Sequence, residues 1–211
     1  MTLLIRSLCV NCNKEIYSSI FNDNFTAIFL KVILPLVLLV PLLVTYRIAS
    51  QKAETSAVAL KSPVVSLSII LGIGLGGFVD AIILHQLLQW HQMISNILQP
   101  TDFTTKSINM FWDGVFEAVS WIFTFVGVLL MWHSRKKSKF TTSTAVFGGG
   151  LLAGWGIFNL LDSIFNHFLF RLHDIRENAT DSRLYNLGFL IISLLLIVIG
   201  SFLMKKSKVD S

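Results

Sequence analysis

Charged residues are scarce in this chain: Asp, Glu, Lys and Arg make up 14% of its 211 residues, whereas hydrophobic residues make up 54%. A soluble domain built from such a sequence would expose helices that are apolar on all faces, and water tolerates no such surface. The shortage of charge therefore excludes a water-soluble domain and directs attention to the apolar runs.

Cysteine is equally scarce, with only Cys9 and Cys12 in the whole sequence. A structural zinc site needs about four ligands, and no second pair of thiols exists to complete one. The interpretation we favour is an exposed tail or a redox-idle pair of thiols.

Long apolar runs are what the chain contains instead. A run of about 18 or more apolar residues is typical of a transmembrane helix. Five such runs occur, at 26–46, 64–88, 110–132, 146–170 and 184–204. We therefore predict an all-α fold, a polytopic membrane helical bundle of five transmembrane helices in contact with the lipid bilayer.

The same runs divide the chain into segments. We predict an N-terminal tail at 1–25, a first helix at 26–46, a four-helix membrane domain at 63–205 and a basic C-terminal tail at 205–211. Because Pro35 and Pro41 interrupt the first helix and leave a short apolar core, a cleaved signal sequence is the alternative for that helix.

The net charge of +5 does not indicate a nucleic-acid partner, because the cations follow the pattern of membrane topology. Ten of the 17 Lys and Arg residues lie between the first and second spans, between the third and fourth, or after the fifth. These segments share one side of a five-span bundle. The positive-inside rule then predicts a bacterial inner (cytoplasmic) membrane protein with its N-terminus outside and its C-terminus in the cytoplasm.

One motif, GxGx5Dx4Hx5H, occurs twice within these apolar runs, 82 residues apart. The first copy begins at Gly72 and the second at Gly154. Charged and metal-binding side chains are costly in hydrocarbon, so their repetition indicates a built site. We interpret the chain as two parallel hairpins, pseudo-repeats at 63–132 and 142–204.

The third span adds two carboxylates from the same side of the membrane. Asp113 and Glu117 are four residues apart and hence share one helical face. At about 1.5 Å rise per residue, Glu117 is expected as deep as Asp80. The fifth span has Asn186 where the third has Asp113, so the second half lacks a carboxylate and we expect an asymmetric site.

Helical phase limits which of these groups can cooperate. In a regular α-helix His85 is rotated roughly 140° from Asp80, so both can reach one ion only if the helix is distorted. His91 returns to the face of Asp80 but is expected about 16 Å away, at the membrane interface. Small residues four apart before each Asp, such as Gly72 and Gly76, predict close packing between helices.

The segments GIGLGGFVDAIILHQLLQWHQM, FWDGVFEAVSW and GWGIFNLLDSIFNHFLFRLHDIREN resemble an uncharacterised bacterial membrane-protein family, domain of unknown function number 2243. The resemblance covers roughly residues 66–204 and implies a helical membrane fold with a ligand cluster. The family's motifs contain more histidine: they have a second His at Gln92, Phe168 and Asp174 and a His at Glu117. The resemblance implies no activity, because the family has none established.

Two classes of function remain open. In the first, the outer half of the bundle holds a transition metal, for which mixed imidazole and carboxylate ligands suit zinc, iron or copper. Such a centre would serve an enzyme that uses metal-bound water, or a redox protein. The candidate ligands are His85, His167, Glu117, Asp113, Asp80, Asp162, His91 and His173.

In the second class the protein is a non-enzymatic membrane component that handles metal or protons, or assists assembly of a respiratory complex. Haem b between His85 and His167 is a variant of the redox hypothesis, but buried acids near the propionates make haem less natural. The sequence leaves open whether the protein is an enzyme, and whether it forms a homo-oligomer or has a membrane partner.

Overall fold

A computed structural model of the chain describes residues 13–34, 37, 63–135 and 143–206. These residues form helices and loops, with no strand among them. The α-helices are α1 Lys14–Ile20, α2 Phe25–Leu34, α3 Pro63–Asp80, α4 Phe103–Arg135, α5 Thr144–Asp162 and α6 Ser182–Lys206. Two of them continue directly into π-helices: α3 into Ala81–Leu87 (π1) and α5 into Ser163–Leu169 (π2).

Four helical segments in the described part of the chain are long and apolar enough to cross a bilayer. They are Val64–Leu87, Phe103–Ser134, Thr144–Leu169 and Ser182–Lys206, and they match the predicted second to fifth spans. Of the predicted first span, the structure describes α2, which is apolar but shorter than a bilayer requires. Most of its remainder, both cysteines and most of the basic C-terminal tail lie outside the described residues.

The helices α3 and α5 form the centre of the bundle. α3 packs against α4 on one side and α5 on the other, and α5 packs against α6. The outer helices α4 and α6 expose rows of large apolar side chains, including Trp121, Phe125, Leu195 and Phe202. A surface of this kind is stable against hydrocarbon, as expected for a membrane protein.

The glycines of the repeated motif set how closely the central helices approach. A Cβ on Gly154 would collide with the Ile69 carbonyl oxygen, and one on Gly72 with that of Leu151. The second glycine of each motif faces the outer neighbour, Gly74 against α4 and Gly156 against α6. Small residues let helix backbones touch where apolar association alone is weak. The two helix ends that carry the motif's acids are thereby held together.

Part of the predicted N-terminal tail is folded. Asn13 caps α1 by accepting a hydrogen bond from the backbone N–H of Glu15 at 3.0 Å. Phe25 then packs against Trp112 on α4, with ring centroids 5.4 Å apart. Trp112 is only 1% exposed as a result, and the segment covers the outer end of α4.

Candidate metal centre

Each π-helix brings an aspartate and a histidine of the motif together. Asp80 Oδ2 lies 3.3 Å from His85 Nε2, and Asp162 Oδ2 lies 2.8 Å from His167 Nε2. In a π-helix the backbone bonds join residues five apart, so side chains at this spacing come onto one face. The π-helices are the distortion that a regular α-helix would have needed. All four side chains are buried.

The two loops that follow the π-helices fold back over the bundle. Gln89 and Arg171 both adopt the left-handed conformation, with φ of 48° and 50°, and reverse the chain. His91 and His173 are then stacked on each other, with ring centroids 4.5 Å apart and planes 2° apart. The predicted position of His91, at the interface about 16 Å from Asp80, is wrong because the helix ends at Leu87.

Each loop is held by the other. The Nδ1–H of His91 donates to the Ile175 carbonyl oxygen at 2.9 Å, and that of His173 donates to the Met93 carbonyl oxygen at 3.0 Å. Because a carbonyl oxygen can only accept, both imidazoles carry their hydrogen on Nδ1.

The remaining nitrogens of these two rings are metal-competent. Burial, reinforced by neighbouring imidazoles, lowers the pKa of His91 well below its usual range and that of His173 to about 3. Both rings are therefore neutral near pH 7, and each Nε2 keeps its lone pair. Both Nε2 atoms are buried with no hydrogen-bond partner in the structure. A lone pair that is buried and unpaired is costly unless a ligand occupies it.

The other two histidines are oriented from the outer helices. Asp113 Oδ1 on α4 accepts from His85 Nδ1 at 2.8 Å and from the Met93 backbone N–H at 2.7 Å. In the second half Asn186 Oδ1 on α6 lies 3.3 Å from His167 Nδ1 and accepts from the Ile175 N–H at 2.9 Å. Asp113 and Asn186 thus have the same task, although only one is charged.

Two groups of side chains in the described structure have the geometry to hold a metal ion. One is His85, His91 and His173, and the other is Asp162, His167 and His173, each with ligand atoms within 4.8 Å of one another. His173 belongs to both groups, but its Nδ1 is already bonded to a carbonyl. Its single Nε2 lone pair can therefore serve one ion at a time.

The remaining predicted ligands have other surroundings. Asp80 is adjacent to His85, but neither of its oxygens has a hydrogen-bond partner. Glu117 pairs with the Gln86 side-chain amide on a partly exposed surface and belongs to neither metal-capable group.

Sequence reasoning missed Asn166, whose amide donates to Asp162 Oδ1 at 2.7 Å. Its spacing of four from Asp162 in an apolar helix was the available signal.

Comparison with known families follows the same segment of the chain. The family model described as "Predicted membrane protein (DUF2243)" matches residues 67–207. The chain belongs to this family. In this DUF2243 member the matched segment includes all four clustered histidines and both motif aspartates. No curated protein and no solved structure matches the chain.

Proposed function

We propose that this protein is a multi-pass membrane protein whose function depends on a transition-metal ion bound by His85, His91 and His173. The observation that carries the proposal is the pair of neutral imidazoles at His91 and His173. Each is fixed through Nδ1 to the opposite loop and presents an unpaired Nε2 to the interior. Metal-binding histidines typically have their second nitrogen bonded in this way.

The nearby polar groups have supporting roles in this proposal. Asp113 orients His85, while Asp162 and Asn186 hold His167 as a fourth imidazole beside the centre. Asp80 lies beside His85 and balances the charge of the ion. Three imidazole ligands with neighbouring carboxylates suit zinc, iron or copper, and three protein ligands leave a coordination position for water or a substrate.

The geometry favours a bare ion over haem. The His91 ring lies 4.3 Å from the His85 ring, and the His173 ring lies 4.7 Å from the His167 ring, measured between centroids. The stacked pair therefore occupies the space between His85 and His167 where a porphyrin would have to fit.

We further propose that the centre arose by duplication of a helical hairpin. In support, the π-helices, the two left-handed residues and the histidine-to-carbonyl bonds all recur at a spacing of 82 residues or close to it. The positive-inside pattern supports a bacterial cytoplasmic membrane, with the two site loops on the outer side and the C-terminus in the cytoplasm.

The test is metal analysis of the full chain purified in mild detergent, with matched histidine variants. We expect about one ion per chain after exposure to zinc, or to cobalt as a spectroscopic probe. A His91→Ala, His173→Ala double variant should lose the ion, because it removes two of the three proposed ligands. His133→Ala is the control, since His133 is exposed on α4 and outside both groups.

Two results would contradict the proposal. One is wild-type protein that takes up no zinc, iron, copper or cobalt in stoichiometric amount. The other is a folded double variant that retains the same cobalt absorption as wild type. A second variant, His85→Gln, guards against misfolding, because it keeps side-chain polarity while removing an imidazole ligand.

A further inference from the structure

A cavity of about 600 Å³ lies beside the candidate metal centre, between the α3 and π1 segment, α5 and α6. Four aromatic side chains form much of its wall: Trp90, Trp155, Tyr185 and Phe189. Its volume is within the range of pockets that bind small organic ligands. Flat aromatic walls of this kind favour a ligand that contains a ring.

The rim of the cavity faces the surrounding bilayer. Ile83, Leu184 and Ile192 line it and are 40%, 67% and 52% exposed on the outside of the membrane-spanning helices. These apolar side chains are in contact with hydrocarbon when the bundle is in a membrane. A ligand therefore enters from the lipid phase and must itself be lipophilic.

Two buried polar side chains also line this apolar cavity. Asp80 is 4% exposed and Asn159 is 3% exposed. Neither oxygen of Asp80 nor Oδ1 of Asn159 has a hydrogen-bond partner. Buried acceptors of this kind are costly to leave unpaired. They are positioned to receive a donor from a molecule in the cavity.

The second half of the protein offers no such acceptors. Asp162 is bonded through one oxygen to Asn166 and through the other to His167. Leu84 occupies the position 82 residues before Asn166, so Asp80 has no equivalent amide. The unpaired acceptors therefore occur on the side of the bundle where the cavity lies.

We propose that this cavity binds a lipophilic phenol, the class that includes hydroquinone rings. The hydroxyl donates to Asp80 or Asn159, the ring packs among the aromatic side chains, and an alkyl substituent extends past the rim into lipid. A hydrocarbon would leave the acceptors unpaired, and a carbonyl compound without a hydroxyl has no donor. The site does not depend on the metal, although Asp80 is adjacent to His85.

The test uses tritiated 4-octylphenol and its methyl ether, 4-octylanisole, with the full chain in phosphatidylcholine nanodiscs and empty nanodiscs as background. The two probes have the same ring and tail, but only the phenol can donate a hydrogen bond. We expect saturable binding of about one phenol per chain. The ether should bind at least tenfold more weakly, because it leaves the buried acceptors unpaired.

Two matched glycine variants examine the location. Gly188 lines the cavity, and a Cβ there meets no atom within 4 Å, so Gly188→Leu fills the cavity without a clash at the backbone. We expect it to abolish phenol binding. Gly114→Leu is the control, because Gly114 is equally unobstructed but is exposed on α4 and outside the cavity lining.

A third variant examines the hydrogen bond. Asn159→Leu removes one acceptor at similar side-chain volume, and it should reduce the preference for the phenol over the ether. Equal binding of the two probes by wild type, or undiminished binding by Gly188→Leu, would overturn the proposal. Repeating the measurement after chelation separates this site from the metal centre: phenol binding should persist in protein stripped of metal.

Discussion

The crossing of α3 and α5 at Gly154 allows a quantitative prediction of stability. In Gly154→Ala the new methyl would lie about 3.0 Å from Gly72 Cα and closer still to the Ile69 carbonyl oxygen. Favourable contacts between carbon atoms need about 3.5–4.0 Å. The two central helices must therefore separate by roughly 0.5–1 Å, as inferred from that contact range.

The magnitude follows from comparison with a second glycine. Overpacking of this kind costs about 1–3 kcal/mol, whereas alanine gains about 1 kcal/mol over glycine inside a helix. Gly114 lies within α4 with open space around its Cβ position, so Gly114→Ala gains the helix preference without the clash. The difference in unfolding free energy between the two variants should be about 1–3 kcal/mol in favour of Gly114→Ala.

The assay is reversible unfolding in mixed micelles with increasing denaturing detergent, followed by helical circular dichroism. Gly154→Ala should also bind metal more weakly, because the crossing holds together the ends of α3 and α5 that carry the histidines. If Gly154→Ala is as stable as Gly114→Ala, the close contact at this crossing does not exist and the argument fails.

Three further outcomes are expected. Asp113→Asn should stay within about 1 kcal/mol of wild type in unfolding free energy, because Asn186 shows that an amide can accept from the equivalent loop N–H. Asp113→Leu should lose about 1–3 kcal/mol in the same assay, since the Met93 N–H and His85 Nδ1 then have no acceptor; equal stability of the two variants would contradict this role. Removing bound metal by chelation should lower the unfolding free energy by about 2.7 kcal/mol if the ion had been at a hundred times its Kd. A melting temperature that chelation leaves unchanged would argue against metal bound to the folded state.

The helix positions were predictable from the sequence. The predicted second span, 64–88, agrees closely with the observed Val64–Leu87, because a bilayer requires about 20 apolar residues and excludes charge. The pairing of Asp113 with His85 also followed from depth alone. Glu117 followed the same rule of depth, yet its partner is Gln86. Depth along a helix does not specify the direction in which a side chain points.

The sequence by itself determined a helical membrane protein with a doubled motif of acids and histidines, since hydropathy and spacing are local properties. Only the tertiary structure decided that His91 and His173 stack in the interior. Their position depends on hydrogen bonds to Ile175 and Met93, each more than 75 residues distant in the chain. Likewise the π-helices widen where the two halves meet, and no local pattern encodes that change. The site is built by contacts between halves, and these exist only once both halves have folded together.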